Sequence, residues 1–226
     1  MSANFGSNYY YEMNAAWTPQ YTSIISYWKM DGDLTDSIGT NNGTVTNVTY
    51  TTSAEVGSAA AVFNGSSSLV TMGTQTNLAF KLTTAFSIAG WVYFASTPAT
   101  QQGLVVDFNT VSDHGYALSI TASAAFQFFV GSGVTNWSMC TSASASPGWH
   151  HLAAVWDGTN ATLYVDTVAV TPTNMGTVAT INNTQPFYLG GSATTGLFQG
   201  TLDDFAIWTS AFTANDVKTI YTHQKH

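Results

Sequence analysis

Arginine is absent from the 226 residues, and lysine occurs four times against twelve acids, a formal net charge of −8. Four cations cannot line a basic groove, which excludes phosphate-backbone recognition. Attraction to anionic lipid headgroups is excluded for the same reason. A single cysteine, Cys140, leaves no intrachain disulfide and no thiolate metal cluster. No run of 18 or more apolar residues occurs, so no helix of the required length spans a bilayer. Met1 to Tyr11 lack the basic region and apolar core of a secretion signal. Charged residues make up 7% of the chain, against about 25% in an average soluble domain.

What is present is a chain with a globular hydrophobic fraction, 45%, and a surface that must be built from Thr, Ser, Asn and Gly. Those residues favour strands and turns over helix interiors. Residues 1–22 stand apart. Tyr9, Tyr10, Tyr11, Trp17 and Tyr21 are dense aromatics without periodicity, and they read as a neck that either packs back on the domain or contacts another subunit. From residue 23 to 226 strand signals recur at short intervals, beginning at Ile24. Phe86 to Phe94 is the first long strand, with Phe86, Ile88, Val92 and Phe94 on one face. Gly103 to Phe108, Tyr116 to Thr121, Ala125 to Val130, Trp149 to Trp156 and Gly200 to Trp208 follow. One helix is expected near the C-terminus, with Thr213 and Asp216 as a capping box and Val217, Ile220 and Tyr221 as its apolar stripe. Ten or more short strands and one small helix indicate an all-β, two-sheet antiparallel sandwich.

Four ordered segments resemble the laminin-G-like group of concanavalin A-like jelly-roll domains. They are Tyr27–Gly39 with Asn42-Gly43-Thr44, Gly57–Gly65 followed by Phe86–Val92, Gly148–Gly158 running on to Leu163–Asp166, and Gly200–Trp208 leading to the helix at Asn215. Together they cover residues 24–221. The resemblance implies a jelly roll, non-catalytic binding of glycans or an adhesive or packing role, and in many members one Ca²⁺. Thr167 departs from the family pattern, which has glycine after the hairpin aspartate. A different turn type is expected there, because Thr tolerates positive φ poorly.

The acids are few but clustered. Asp31, Asp33 and Asp36 share one loop, and Asp203 and Asp204 share a late strand. Calcium takes six to eight oxygens, and the expected ligands are Asp36, Asn42 and Asp204, with Asp31, Asp33 and Asp203 behind them. The alternative is a set of Asx-turns and strand-end caps. A period of two sends Asp203 and Asp204 to opposite faces, so one at most joins a given site. Glycan binding calls for aromatic platforms beside planar polar groups. Trp137 and Asn136, in the polar run Gly131–Ser138, are the leading candidates, and Asp113, His114 and Tyr116 form a second loop. The strand tryptophans Trp91, Trp149, Trp156 and Trp208 read as core or sheet-face residues. No pair of facing carboxylates marks a glycosidase. His150 and His151 point to opposite faces, and His151 is expected to be buried and hydrogen-bonded. The expected activity is therefore non-catalytic.

Three roles remain open on this reading. One is a glycan-binding adhesion or attachment module, extracellular or on the cell surface, at the tip of a fibre-like surface or phage protein. There, residues 1–22 would hold a homo-oligomer, a trimer before a dimer. Another is a protein–protein packing or oligomerisation module without a sugar site. The third is an accessory domain of a larger hydrolase.

Overall fold

A computed structural model describes residues 12–81, 84–109, 114–179, 185–192 and 195–225. Two eight-stranded antiparallel sheets face each other. The first holds β1 (Ile24–Trp28), β3 (Thr49–Thr51), β4 (Ala60–Asn64), β6 (Phe86–Phe94), β11 (Gly148–Trp156), β12 (Ala161–Val165), β13 (Val168–Val170) and β16 (Gln199–Trp208). The second holds β2 (Thr44–Thr46), β5 (Leu69–Gly73), β7 (Gln102–Asn109), β8 (His114–Ile120), β9 (Ala125–Ser132), β10 (Trp137–Ser144), β14 (Thr173–Met175) and β15 (Phe187–Leu189). Strand order is β13-β12-β11-β6-β16-β4-β3 in the first, with β1 also paired to β16, and β14-β10-β9-β8-β7-β15-β5-β2 in the second. This is the two-sheet antiparallel sandwich expected from the strand spacing, and the jelly roll that the family resemblance implies.

The period of two explains the main core. Phe86, Ile88, Val92 and Phe94 of β6 meet Tyr116, Leu118, Phe126 and Phe128 of the opposite sheet. Phe80 stacks on Phe86 with centroids 4.3 Å apart. Each such side chain contributes roughly 1.5–3 kcal/mol by leaving water.

A third layer covers part of the outer face of the first sheet. Helix α1 (Ala214–Gln224) begins in the expected capping box, where Thr213 accepts from the Asp216 N–H and Asp216 accepts from the Thr213 N–H. Its Val217 and Ile220 pack with Ala89, Ala153, Val155, Ala206 and Trp208. The stretch from Glu12 to Thr22 joins this layer. Met13 lies in the same cluster, Trp17 stacks on His223 at 4.6 Å, and Gln20 Nε2 donates to the Ala211 carbonyl and to Asp216. So residues 12–22 of the expected neck lie on their own domain. Tyr9, Tyr10 and Tyr11 lie outside the described residues.

Three local expectations are corrected. Trp137 opens a strand, not a loop. Asp166 and Thr167 both take positive φ, 48° and 74°, so the hairpin keeps the two-residue turn with positive φ at both positions in spite of threonine. Asp203 and Asp204 do not diverge. A register shift between Asp203 and Ala206, with Asp204 at φ 55°, inserts an extra residue into β16. Asp203 lies opposite Trp91, which is bonded to helix residue Gln224, and Asp204 is also bonded to Gln224. Both carboxyls therefore lie on the helix side of the sheet.

Candidate functional site

Among the described residues no helix covers the outer face of the second sheet, and its centre is a groove of about 770 Å³. Alternation builds it. Phe126, Phe128 and Val130 of β9 point into the core, which leaves Gln127 and Phe129 facing out. In β8 the inward set is Tyr116, Leu118 and Ile120, so Ala117 and Ser119 face out, and in β10 Trp137 and Met139 flank the inward Ser138. Phe108 meets Phe129 edge-on at 5.0 Å, and Phe129 lies 6.3 Å from Trp137. Gly131 is the cross-strand neighbour of Trp137 and adds no side chain over the indole. The result is a row of three aromatic rings across the sheet.

Amides and hydroxyls border that row. Gln101 Nε2 donates to Ser119 Oγ at 3.0 Å and to Gln127 Oε1 at 3.1 Å. Gln127 Nε2 donates to Thr141 Oγ1 at 3.0 Å. The rim is closed by Thr195 and Gly196, which come close because Gly103 has no side chain. A Cβ there would sit 2.7 Å from Thr195 Oγ1 and 2.9 Å from the Gly191 Cα. The Gly103 N–H also donates to the Gly196 carbonyl at 3.1 Å.

The sequence candidates divide sharply. Trp137 lines the groove and is half-buried. Asn136 sits beside it in the β9–β10 turn, its N–H on the Gly133 carbonyl, and does not line the groove. His114 stands at the start of β8 with Nε2 2.8 Å from the Ser132 carbonyl, also outside it. Tyr116 is corrected: it is 1% exposed and donates its phenol to the Leu78 carbonyl, because its parity in β8 is inward. Burial, with Asp107 beside it, holds that phenol well above its usual range. Asp113 lies outside the described residues. Phe108, Phe129, Gln101 and Gln127 were missed. The available signal was the run Phe128-Phe129-Val130, in which alternation forces one apolar side chain onto the solvent face.

Most of the candidate calcium ligands already hold hydrogen-bond partners within the chain, whereas Asp203 Oδ1 is buried without one. Asp36 accepts the N–H groups of Tyr27, Ile38, Gly39 and Asn41. Asn42 Oδ1 accepts the Asp36 N–H. Asp31 Oδ1 holds Ser58 and Ala59, and Asp33 Oδ1 holds the Thr35 N–H. Asp203 Oδ2 accepts from Glu55 and Val56. Asp204 is bonded to Tyr27 and Gln224. The Asp33 and Asp36 contacts include the Asx-turns of the alternative reading, and the others tie segments distant in sequence. Among the described residues no group of three or more His, Cys, Asp or Glu is placed to hold a metal ion. Burial, and for Asp203 also the neighbouring Asp204 charge, raises both carboxyls, Asp203 to about 9.

His151 is buried as expected, yet neither ring nitrogen has a hydrogen-bond partner. Its ring is packed against Trp91 and Tyr221, and burial lowers its pKa to about 4. His150 instead pairs with Asp166 at 2.7 Å. Cys140 is fully buried, and burial pushes its thiol up to about 11. No helix among the described residues is long and apolar enough to cross a membrane.

Solved structures share this architecture at low sequence identity. The binding domain of botulinum neurotoxin DC in complex with SialylT superposes with a TM-score of 0.71 at 13% identity, over 90% of this chain and 52% of that one. The binding domain of Paraclostridial Mosquitocidal Protein 1 gives 0.72 at 15%, over 88% and 52%. Domain 4 of AbnA, an extracellular arabinanase from Geobacillus stearothermophilus in complex with arabinotriose, gives 0.64 at 21%, over 88% and 98%. The chain thus spans about half the length of the two toxin domains and nearly all of the arabinanase domain. No curated protein matches it. The model of the laminin-G family Laminin_G_3, described as the concanavalin A-like lectin/glucanases superfamily, matches residues 64–218. With more than half of its length matched and both sheets in place, the chain belongs to that family.

Proposed function

We propose that this domain is a non-catalytic carbohydrate-binding module whose ligand lies along the outer face of the second sheet. The observation that carries the reading is the row Phe108–Phe129–Trp137 with the Gln101–Gln127 amides beside it, in one groove. Aromatic faces cover the apolar faces of sugar rings at low entropy cost, and fixed amides and hydroxyls meet the ring hydroxyls. The saccharide complexes of two fold neighbours, one with SialylT and one with arabinotriose, support the choice of ligand. The setting on this reading is extracellular attachment, as the similar domain 4 belongs to an extracellular arabinanase.

The test is a glycan array probed with the intact domain and with Trp137→Ala and Phe129→Ala, each checked for fold by circular dichroism. Truncating a ring that stacks on ligand is expected to weaken binding about tenfold or more. Glycan binding that survives both substitutions unchanged overturns the assignment.

A further inference from the structure

We infer that the groove selects a neutral oligosaccharide, read through its hydroxyl groups by the Gln101–Gln127–Thr141 ladder, and turns away sialylated or uronate-bearing chains. This rests on the carbohydrate reading above and narrows it to a ligand class.

Among the described residues, none that lines the groove is ionisable. The four lysines, Lys29, Lys81, Lys218 and Lys225, all lie elsewhere. Lys29 is tied to Glu12 and Lys225 to Tyr221. A carboxylate entering among the rings would leave water with no cation to receive it, and burying an unpaired charge is strongly unfavourable. The net charge of −8 adds repulsion before contact.

The ladder supplies the positive half of the selection. Gln101 spends both amide hydrogens, one on Ser119 and one on Gln127. Its carbonyl oxygen is what remains to face a ligand, and that atom only accepts. Ser119 and Thr141 each accept an amide hydrogen and keep their own O–H to give. The surface thus alternates acceptor and donor. A sugar hydroxyl, which both gives and accepts, matches it. A carboxylate, which only accepts, satisfies the hydroxyl donors but meets the Gln101 oxygen with like polarity.

The test is an array in which each neutral glycan is printed beside its sialylated or uronate-bearing counterpart, probed with the intact domain. Binding is expected on the neutral members alone, unchanged between low and high salt. Gln101→Leu is expected to lower it about tenfold, the scale of one uncharged hydrogen bond. Gln127→Lys, which places a cation in the ladder, is expected to admit the acidic members. Acidic glycans bound as well as neutral ones, with Trp137→Ala still abolishing the signal, overturn this inference and leave the carbohydrate reading standing. A blank array, or a signal indifferent to Trp137→Ala, overturns both. Neutral binding that Gln101→Leu leaves intact removes the ladder from the recognition.

Discussion

The phenol of Tyr27 is hydrogen-bonded to the carboxyl of Asp204, and the backbone N–H of the same tyrosine donates to Asp36 at 3.0 Å. One residue of β1 therefore anchors two acids that the sequence suggested as partners in a metal shell. The two carboxyls lie at opposite ends of a tyrosine. Asp204 also holds Gln224, whose Oε1 accepts from the Trp91 indole at 3.0 Å. A buried polar chain thus runs from the first strand through the bulge of β16 to the last turn of α1.

Tyr27→Phe deletes the phenol and leaves a fully buried carboxyl short of a partner. The expected cost is about 1–3 kcal/mol, read as a lower urea midpoint with an unchanged m-value. Glycan binding should not change, because Tyr27 serves the helix-covered face and the groove lies on the other sheet. An unaltered midpoint would show that the chain is not stabilising.

Thr167 takes φ 74° in the Asp166–Thr167 turn. A β-branched residue is strained there, and glycine is not. Thr167→Gly is expected to stabilise the domain by about 1 kcal/mol, less than the full strain because glycine also loses more backbone freedom on folding. Thermal melting of the two proteins checks this, and a lower melting temperature for the glycine variant would contradict it.

The His150–Asp166 contact carries a pH window. Burial pulls the His150 pKa down, but the bonds to Asp166 and to the Ser146 carbonyl outweigh it, and the net shift is upward. Burial pushes Asp166 up, but the bond to His150 and the His151 N–H carry it below its usual value. A raised histidine contributes fully below its unfolded pKa of about 6.5, and this is lost as pH rises through the folded value. A lowered aspartate contributes above about 3.9, and this is lost as pH falls through the folded value. The pair is strongest from about pH 4 to 6.5. Asp166→Asn should lower the His150 pKa in an NMR titration and shrink the stability difference between weakly acidic and alkaline solution. An unmoved histidine titration would show that Asp166 does not set it.

Calcium removal gives a fourth test. The acids of the Asp31–Asp36 loop and of β16 hold backbone N–H groups and side chains of the domain itself. Chelation is therefore expected to leave both the melting temperature and glycan binding unchanged. A fall of several degrees that added calcium reverses would assign these carboxylates a metal after all.

Much of the fold was legible because its signal is local. Period two in Phe86–Phe94, the capping box of Thr213 and Asp216, and the ordered family segments each sit within a few residues. The site was legible only at Trp137. Tyr116 and Phe129 show why the rest was not. Both are aromatic residues in strand-forming runs, and parity alone sends one inward and the other out. Parity depends on where pairing begins, which is set by strands distant in sequence.

The sequence by itself determined an all-β sandwich with a charge-poor surface and no basic groove, because composition and alternation are properties of the chain. Tertiary structure decided which aromatic rings share a face, that a bulge turns Asp203 and Asp204 to the same side, and that the clustered acids accept from backbone N–H groups or, at Asp204, from the side chains of Tyr27 and Gln224. Those outcomes depend on register between strands far apart in the chain, and on donors that come within reach only when the two sheets and the outer layer are packed.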